Sequence, residues 1–353
     1  MKSQASGSAG NHPPAPGGVR PLQVVAMGGG TGLSTLLKGL KRYVTSGEPA
    51  TTGGRPVGEL CAVVTVTDDG GSSGRLRKEF NVLPPGDIRN CIAALSEDEA
   101  LLSRLFQHRF HAGAGLNGHS FGNLFLTALT AITGDFAEAV KQSSEILATR
   151  GHIYPSTTSD VQLEATMADG TLVSGETNIT ASTQRIVEIH LRPADVQPLP
   201  QTLEAIAQAD LITIGPGSLF TSLVPNLLVR GISEAVAGSR AVKVFVCNLM
   251  TEANESLGLS AAEHIRVLHE HARTRIVDYA MVNRTPVPGE LKAKYAAEGG
   301  TQIEVDVAAI EKMGVKVILG DYLETAQGVA RHATDRVTRD LLALAAQAAA
   351  ASR

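Results

Sequence analysis

The chain has 353 residues, 43% of them hydrophobic and 19% charged, enough for one large or two ordinary domains around a buried core. A net charge of -4 argues against a dedicated nucleic-acid binder, and three widely separated cysteines, Cys61, Cys91 and Cys247, argue against a disulfide framework or a zinc knuckle. No apolar run has the length and strength of a membrane span, and the cysteine usage suits a reducing compartment, so the expected location is cytoplasmic.

Residues 1–20, rich in Ser, Gly, Pro and Ala, read as a disordered tail ahead of a single α/β domain over 21–353. The first apolar run, Leu22–Met27, reads as a buried strand. It leads into Gly28-Gly29-Gly30-Thr31-Gly32 and a helical pattern over Leu33–Tyr43. Glycines between strand and helix let backbone approach a ligand, and a helix N-terminus offers amides and partial positive charge to an anion. The spacing is neither G-x-G-x-x-G nor a Walker A loop, which argues against an NAD-dependent oxidoreductase.

The next strand, Leu60–Val66, ends in Thr67-Asp68-Asp69-Gly70-Gly71-Ser72-Ser73-Gly74-Arg75. Adjacent carboxylates on a flexible loop, with an arginine, suggest a diphosphate and Mg²⁺ site in which Asp68 and Asp69 hold the metal. Turn formation and a surface charge are the competing readings. Pro84-Pro85-Gly86-Asp87 reads as a turn with Asp87 as N-cap. Helical patterns follow at Ser120–Ile132 and Asp135–Ala148, and Asn123 has the chemistry to bond a base or sugar.

Residues 150–200 break the rhythm. Gln162–Ala168, Asp169-Gly170 and Thr171–Glu176 read as a β-hairpin, Arg185–Leu191 as a further strand, and Pro193, Pro198 and Pro200 as a linker. The strand-helix rhythm resumes with Leu211–Ile214, which ends in a second glycine turn, Gly215-Pro216-Gly217-Ser218, where Ser218 is also placed to cap a helix. Val242–Cys247, Ile276–Val282 and Val315–Leu319 read as strands, Ser260–Leu268 and Thr325–Ala348 as helices. The apolar runs are continuous, so the expected fold is a Rossmann-like, doubly wound α/β architecture with a mostly parallel sheet and a small antiparallel insertion. Both glycine turns would then face one crevice at strand carboxyl ends. No G-x-S-x-G elbow or H-E-x-x-H spacing is present, and His108 and His111 lack a third metal ligand.

The ordered set of these motifs, with Gly86-Asp87-Ile88-Arg89-Asn90, Gly118-His119-Ser120-Phe121-Gly122-Asn123, Gly175-Glu176-Thr177-Asn178-Ile179-Thr180 and Cys247-Asn248-Leu249-Met250-Thr251, resembles the gluconeogenesis-factor (YvcK-like) family from about residue 22 to about 345. That family is similar in fold to the 2-phospho-L-lactate transferases (CofD-like). The resemblance implies binding of UDP-N-acetylglucosamine, UDP-glucose or a related nucleotide, and a role in cell shape and wall synthesis during gluconeogenic growth. The expected ligand-binding set is Gly29, Gly30, Thr31, Gly32, Ser72, Arg75, Asn123, Gly215, Pro216, Gly217, Ser218 and Asn248. The protein is expected to be a homo-oligomer. The alternative is a Mg²⁺-dependent phospho-transferase, although those transferases show Ser-Asn-Pro where this chain has Gly217-Ser218-Leu219. One loop departs from the family, which continues Gln-Pro-Gly-Glu-Thr after Thr251. Here the residues are Glu252-Ala253-Asn254-Glu255-Ser256.

Overall fold

The structure, a computed structural model, describes residues 20–45, 56–97, 100–326 and 328–351; the tail expected over residues 1–20 lies almost wholly outside the described residues. In chain order the elements are β1 (Leu22–Gly28), α1 (Gly30–Leu40), β2 (Val57–Val64), α2 (Gly71–Phe80), α3 (Gly86–Leu95), α4 (Ala100–Gln107), α5 (Phe121–Thr133), α6 (Phe136–Ile146) and β3 (His152–Pro155). The middle comprises β4 (Gln162–Met167), β5 (Leu172–Ser174), α7 (Glu176–Ala181), β6 (Ile186–Arg192) and α8 (Pro200–Gln208). The remainder is β7 (Leu211–Ile214), α9 (Val224–Leu228), α10 (Ile232–Gly238), β8 (Val242–Val246), α11 (Ala261–Ala272), β9 (Tyr279–Asn283), α12 (Gly289–Ala297), α13 (Val307–Lys312), β10 (Lys316–Gly320), β11 (Leu323–Ala326), β12 (Val329–His332) and α14 (Thr334–Ala351).

A seven-stranded sheet in the order β10-β9-β8-β7-β1-β2-β3 has every adjacent pair parallel. Its central strands are covered on both faces, which is why they read as continuous apolar runs rather than alternating ones: Leu211, Ile212, Thr213 and Ile214 of β7 are all buried. From β1 the chain moves outward to β2 and β3, then returns to β7 and moves outward the other way. The reversal falls between β1 and β7, where parallel α/β sheets open a crevice at their carboxyl ends. A three-stranded antiparallel sheet, β5-β4-β6, is the expected insertion. Its inward residues Leu163, Ala165 and Ile189 join the same apolar core as the large sheet.

Several elements differ from expectation. β3 lies within the stretch read as insertion, yet pairs with β2 in the main sheet. Thr67–Arg75 is not a loop throughout, because α2 begins at Gly71 and carries Ser72 and Arg75. Thr325–Ala348 is not one helix: β11 and β12 form an antiparallel hairpin turned at Gly328 (φ 69), and α14 starts only at Thr334. The helix-like spacing there came from the alanines, while Leu323, Thr325 and Val329 follow strand pairing. Pro200 is not linker but sits in the first turn of α8, where its missing N–H removes no helical bond. Ser120, Asp135 and Ser260 act as N-caps, so the observed helices begin one residue after the patterns suggested.

Candidate functional site

The first glycine turn closes β1 and opens α1 directly. Gly29 is the N-cap, and Gly30 takes φ 62, a left-handed conformation that costs glycine little. The second turn, after β7, meets the first backbone to backbone. A Cβ on Gly32 would fall 2.7 Å from the Pro216 carbonyl carbon and closer still to its oxygen. Glycine at 32 is therefore a condition of the two turns meeting.

Together they wall a cavity of about 370 Å³, with Asn248 to Glu252 after β8 on one side and the β11–β12 hairpin above. Of the residues expected to bind ligand, Gly29, Gly30, Thr31, Gly32, Pro216, Gly217, Ser218 and Asn248 line this space. Gly215 lies behind it, its amide donating to the Met27 carbonyl at 3.0 Å.

Several amides at the turns already have protein acceptors. Asp87 takes the Gly30 amide, and the Asn248 side chain accepts from the Gly217 amide at 3.1 Å while donating to the Gly217 carbonyl at 2.8 Å. Asn248 thus braces the second turn. Glu255 accepts the amides of Phe220 and Thr221, both at 2.9 Å, in the single π-turn Leu219–Leu223 that follows. An internal carboxylate holds the anion position at that helical N-terminus. Ser218 does not cap through its side chain. For a ligand, the turns present Thr31 and Gly32 in the first turn of α1, where an α-helix leaves its amides without intrahelical acceptors, and the Ser218 hydroxyl.

Sequence reasoning passed over the far wall. Arg331 of β12 is exposed and is the one permanent cation lining the cavity among the described residues, and Glu252 is the one carboxylate. Tyr295 of α12 also lines it, and its hydroxyl accepts the Ala330 amide at 3.2 Å. His332 donates through Nε2 to the Cys247 carbonyl at 3.0 Å, and burial pushes its pKa down to about 4, so it is neutral near pH 7. A misassigned helix over Thr325–Ala348 hid Arg331 and His332. No signal short of the hairpin pairing places them here.

The remaining expected residues form a second cluster, outside the cavity lining. The Ser72 hydroxyl lies 2.9 Å from His119 Nδ1 and accepts from Asn123 Nδ2 at 3.1 Å. Arg75 donates to the Asn117 carbonyl at 2.7 Å. Asp68 and Asp69 have different partners: Asp68 accepts the Gly70 amide at 2.9 Å, while Asp69 accepts the Thr177 amide at 2.8 Å and the Thr177 hydroxyl at 2.6 Å. No group of three or more His, Cys, Asp or Glu among the described residues is arranged to hold a metal.

Asp87 links the two clusters. It is not the N-cap of α3, a position held by Pro85. Its carboxylate instead lies under the first turn, where a Cβ on Gly29 would come within 2.7 Å of it. Burial, then the charge of Asp68, raises its pKa to about 6, against the Gly30 amide, which lowers it. Half-buried Glu176 is pushed up to about 9, first by burial and then by Asp68 and Asp87. Cys61, Cys91 and Cys247 are buried free thiols; burial first, then Glu59, pushes Cys61 up to about 12, which leaves it unreactive.

The family model for 2-phospho-L-lactate transferase CofD matches residues 24–323. The chain is 46% identical over 322 residues to the gluconeogenesis factor of Bacillus subtilis (strain 168), covering 91% of this chain and 98% of that protein. It is likewise 46% identical over 319 residues to the gluconeogenesis factor of Halalkalibacterium halodurans, covering 90% and 95%. The crystal structure of protein BH3568 from Bacillus halodurans matches with a TM-score of 0.87 at 45% identity, covering 92% of this chain and 100% of that one. No helix among the described residues is long and apolar enough to cross a membrane.

Proposed function

Because this chain belongs to the gluconeogenesis-factor family, within the wider CofD family, we propose that it is a UDP-sugar-binding regulator whose ligand occupies the cavity between the two glycine turns. The observation that carries this reading is the meeting of the turns at the β1–β7 reversal, with Arg331 facing them across the cavity. A diphosphate would take the first-turn amides of α1 and the Arg331 guanidinium, which suits phosphate oxygens through paired N–H donors. Tyr295 offers an aromatic face for a base or sugar. UDP-N-acetylglucosamine and UDP-glucose both fit that division of labour. The regulator would act in the cytoplasm, as a homo-oligomer, on cell shape and wall synthesis during gluconeogenic growth.

Calorimetric titration with UDP-N-acetylglucosamine tests the reading. Saturable heat that Arg331→Ala weakens supports it. No heat with either UDP-sugar, or with other nucleotides, contradicts it.

The carboxyl cluster beneath the first turn favours a second reading, a phospho-transferase. Asp87, with its pKa near 6, is suited to take a proton from an attacking hydroxyl, and Asp68 is its charged neighbour. In this reading Asp68 and Asp69 would hold a Mg²⁺ ion, which would supply charge stabilisation to the transferring phosphoryl group. Turnover of a phosphorylated substrate that Asp68→Asn abolishes would favour this reading, and its absence in the unaltered protein would remove it.

A further inference from the structure

We propose that His271 is an acid-sensitive latch: its neutral ring holds the antiparallel sheet β5-β4-β6 to α11, and a proton on that ring releases the sheet together with the sheet's grip on Asp69. The device belongs to the unliganded chain and does not depend on the UDP-sugar reading.

β6 is an edge strand, with β4 on one side only. The outward backbone groups of an edge strand need partners wherever they are covered. For Ile189 the partner is a side chain: its amide donates to His271 Nε2 at 3.1 Å, 82 residues along the chain. A backbone amide only donates, so Nε2 carries no hydrogen. The other ring nitrogen, Nδ1, lies 2.8 Å from the Val267 carbonyl, which only accepts, so Nδ1 carries the hydrogen. These two bonds fix one neutral tautomer. A second proton could enter only at Nε2, where it would meet the Ile189 N–H head to head.

No other histidine ring among the described residues accepts a backbone amide. His332 Nε2 and His264 Nδ1 lie 3.0 and 2.8 Å from the carbonyls of Cys247 and Ser260. Those nitrogens donate, so a protonated ring would keep both bonds, whereas at His271 it would lose one.

The surroundings of the ring pull in opposite directions. Burial, the largest influence, lowers its pKa, and His190 of β6 adds to that; the Val267 carbonyl, then Glu188 of β6 and Glu270 of α11, raise it. His271 also lies in the last turn of α11, where the helix's free carbonyls favour a cation. From the π-turn the neighbour is uncharged, the Phe220 ring standing edge-on at 6.1 Å. Arg185, Arg266 and Glu255 line a cavity of about 220 Å³ with Phe220, and Arg266 pairs with Glu263 and Glu270. Burial prevails, so the ring in the closed sheet titrates below its ordinary value of 6.5. With the sheet lifted, the ring meets water and binds a proton more readily. The closed arrangement therefore has its full stability above about pH 6.5 and loses it as pH falls further.

A continuous route carries the change across the sheet. Ile189 pairs with Ala165 of β4. Two residues earlier on β4, the Leu163 carbonyl accepts the Gly175 amide at 2.7 Å, which ties the start of α7 to the same strand. Thr177 of α7 then gives Asp69 both its amide and its hydroxyl. His271 is thus a positioning residue for the carboxyl cluster beneath the first turn.

The experiment uses the full chain without ligand. Nitrogen-15 spectra of histidine-labelled protein near pH 7 should show His271 with its hydrogen on Nδ1. Amide exchange, expressed as protection relative to the unfolded chain, should fall about 10-fold at Ile189 and at Thr177 between pH 7 and pH 5. His271→Gln, whose side-chain oxygen can accept the Ile189 amide at any pH, should keep the protection of both amides level across that range. A hydrogen on Nε2 near pH 7, or level protection in the unaltered protein, overturns the proposal, and neither reading needs a variant. The same fall in His271→Gln, or a fall at Ile189 with none at Thr177, overturns it as well.

Discussion

At the scale of single residues, contact between backbones gives the sharpest expectation. Gly32→Ala would press a methyl group into the Pro216 carbonyl. Separating the turns should cost about 1–3 kcal/mol of stability and abolish measurable ligand binding, checked by melting and calorimetry. Arg331→Ala removes an exposed side chain, so melting should hardly change while affinity drops roughly 10- to 100-fold. Glu176 gives a pH-dependent expectation. Its folded pKa of about 9 lies above the model-compound value of 4.5, so between them the folded chain retains a proton that the unfolded chain has released. Stability from this group is present below about 4.5 and is lost as pH rises toward about 9. Glu176→Gln should flatten that decline and raise the melting temperature at pH 8 by at least ~2 °C. An unchanged slope would show that the carboxyl is solvated.

At the scale of elements, the hairpin β11–β12 and helix α12 form a unit over the cavity. Lys294 donates to the Gly328 carbonyl at 3.0 Å, and Tyr295 receives the Ala330 amide. Ligand binding should therefore slow hydrogen exchange in Val329–His332 and in α12, and leave exchange in the antiparallel sheet β5-β4-β6 unchanged. The hairpin was the element least legible in the sequence, because short strands joined at a glycine next to an alanine-rich helix carry almost no periodic signal. The strands of the large sheet were legible because burial on both faces forces unbroken apolar runs. Short helices α9, α10 and α13 escaped notice, since segments of five to seven residues hold too few turns to show a 3.6-residue period. Asn248 shows the same limit within the site: it stood among the expected ligand-binding residues, but only geometry reveals that both ends of its amide grip Gly217. Asn248→Ala would leave those groups without that partner and should cost about 1–3 kcal/mol, measured by denaturant unfolding.

At the scale of the whole molecule, function follows from strand order. A chain that winds outward from β1 in one direction, then from β7 in the other, leaves its loops parted at the reversal, and both glycine turns fall there. The sequence disclosed the turns but not which amides were already taken. Asp87, Asn248 and Glu255 lie 57, 31 and 35 residues from the turn atoms they hold, distances along the chain that no local pattern encodes. The measurement that tests the central claim most directly is a crystal of the full chain soaked with UDP-N-acetylglucosamine. The account predicts diphosphate density between the first turn of α1 and Arg331, beside Ser218. A ligand ordered elsewhere, with that space holding only solvent, would contradict it.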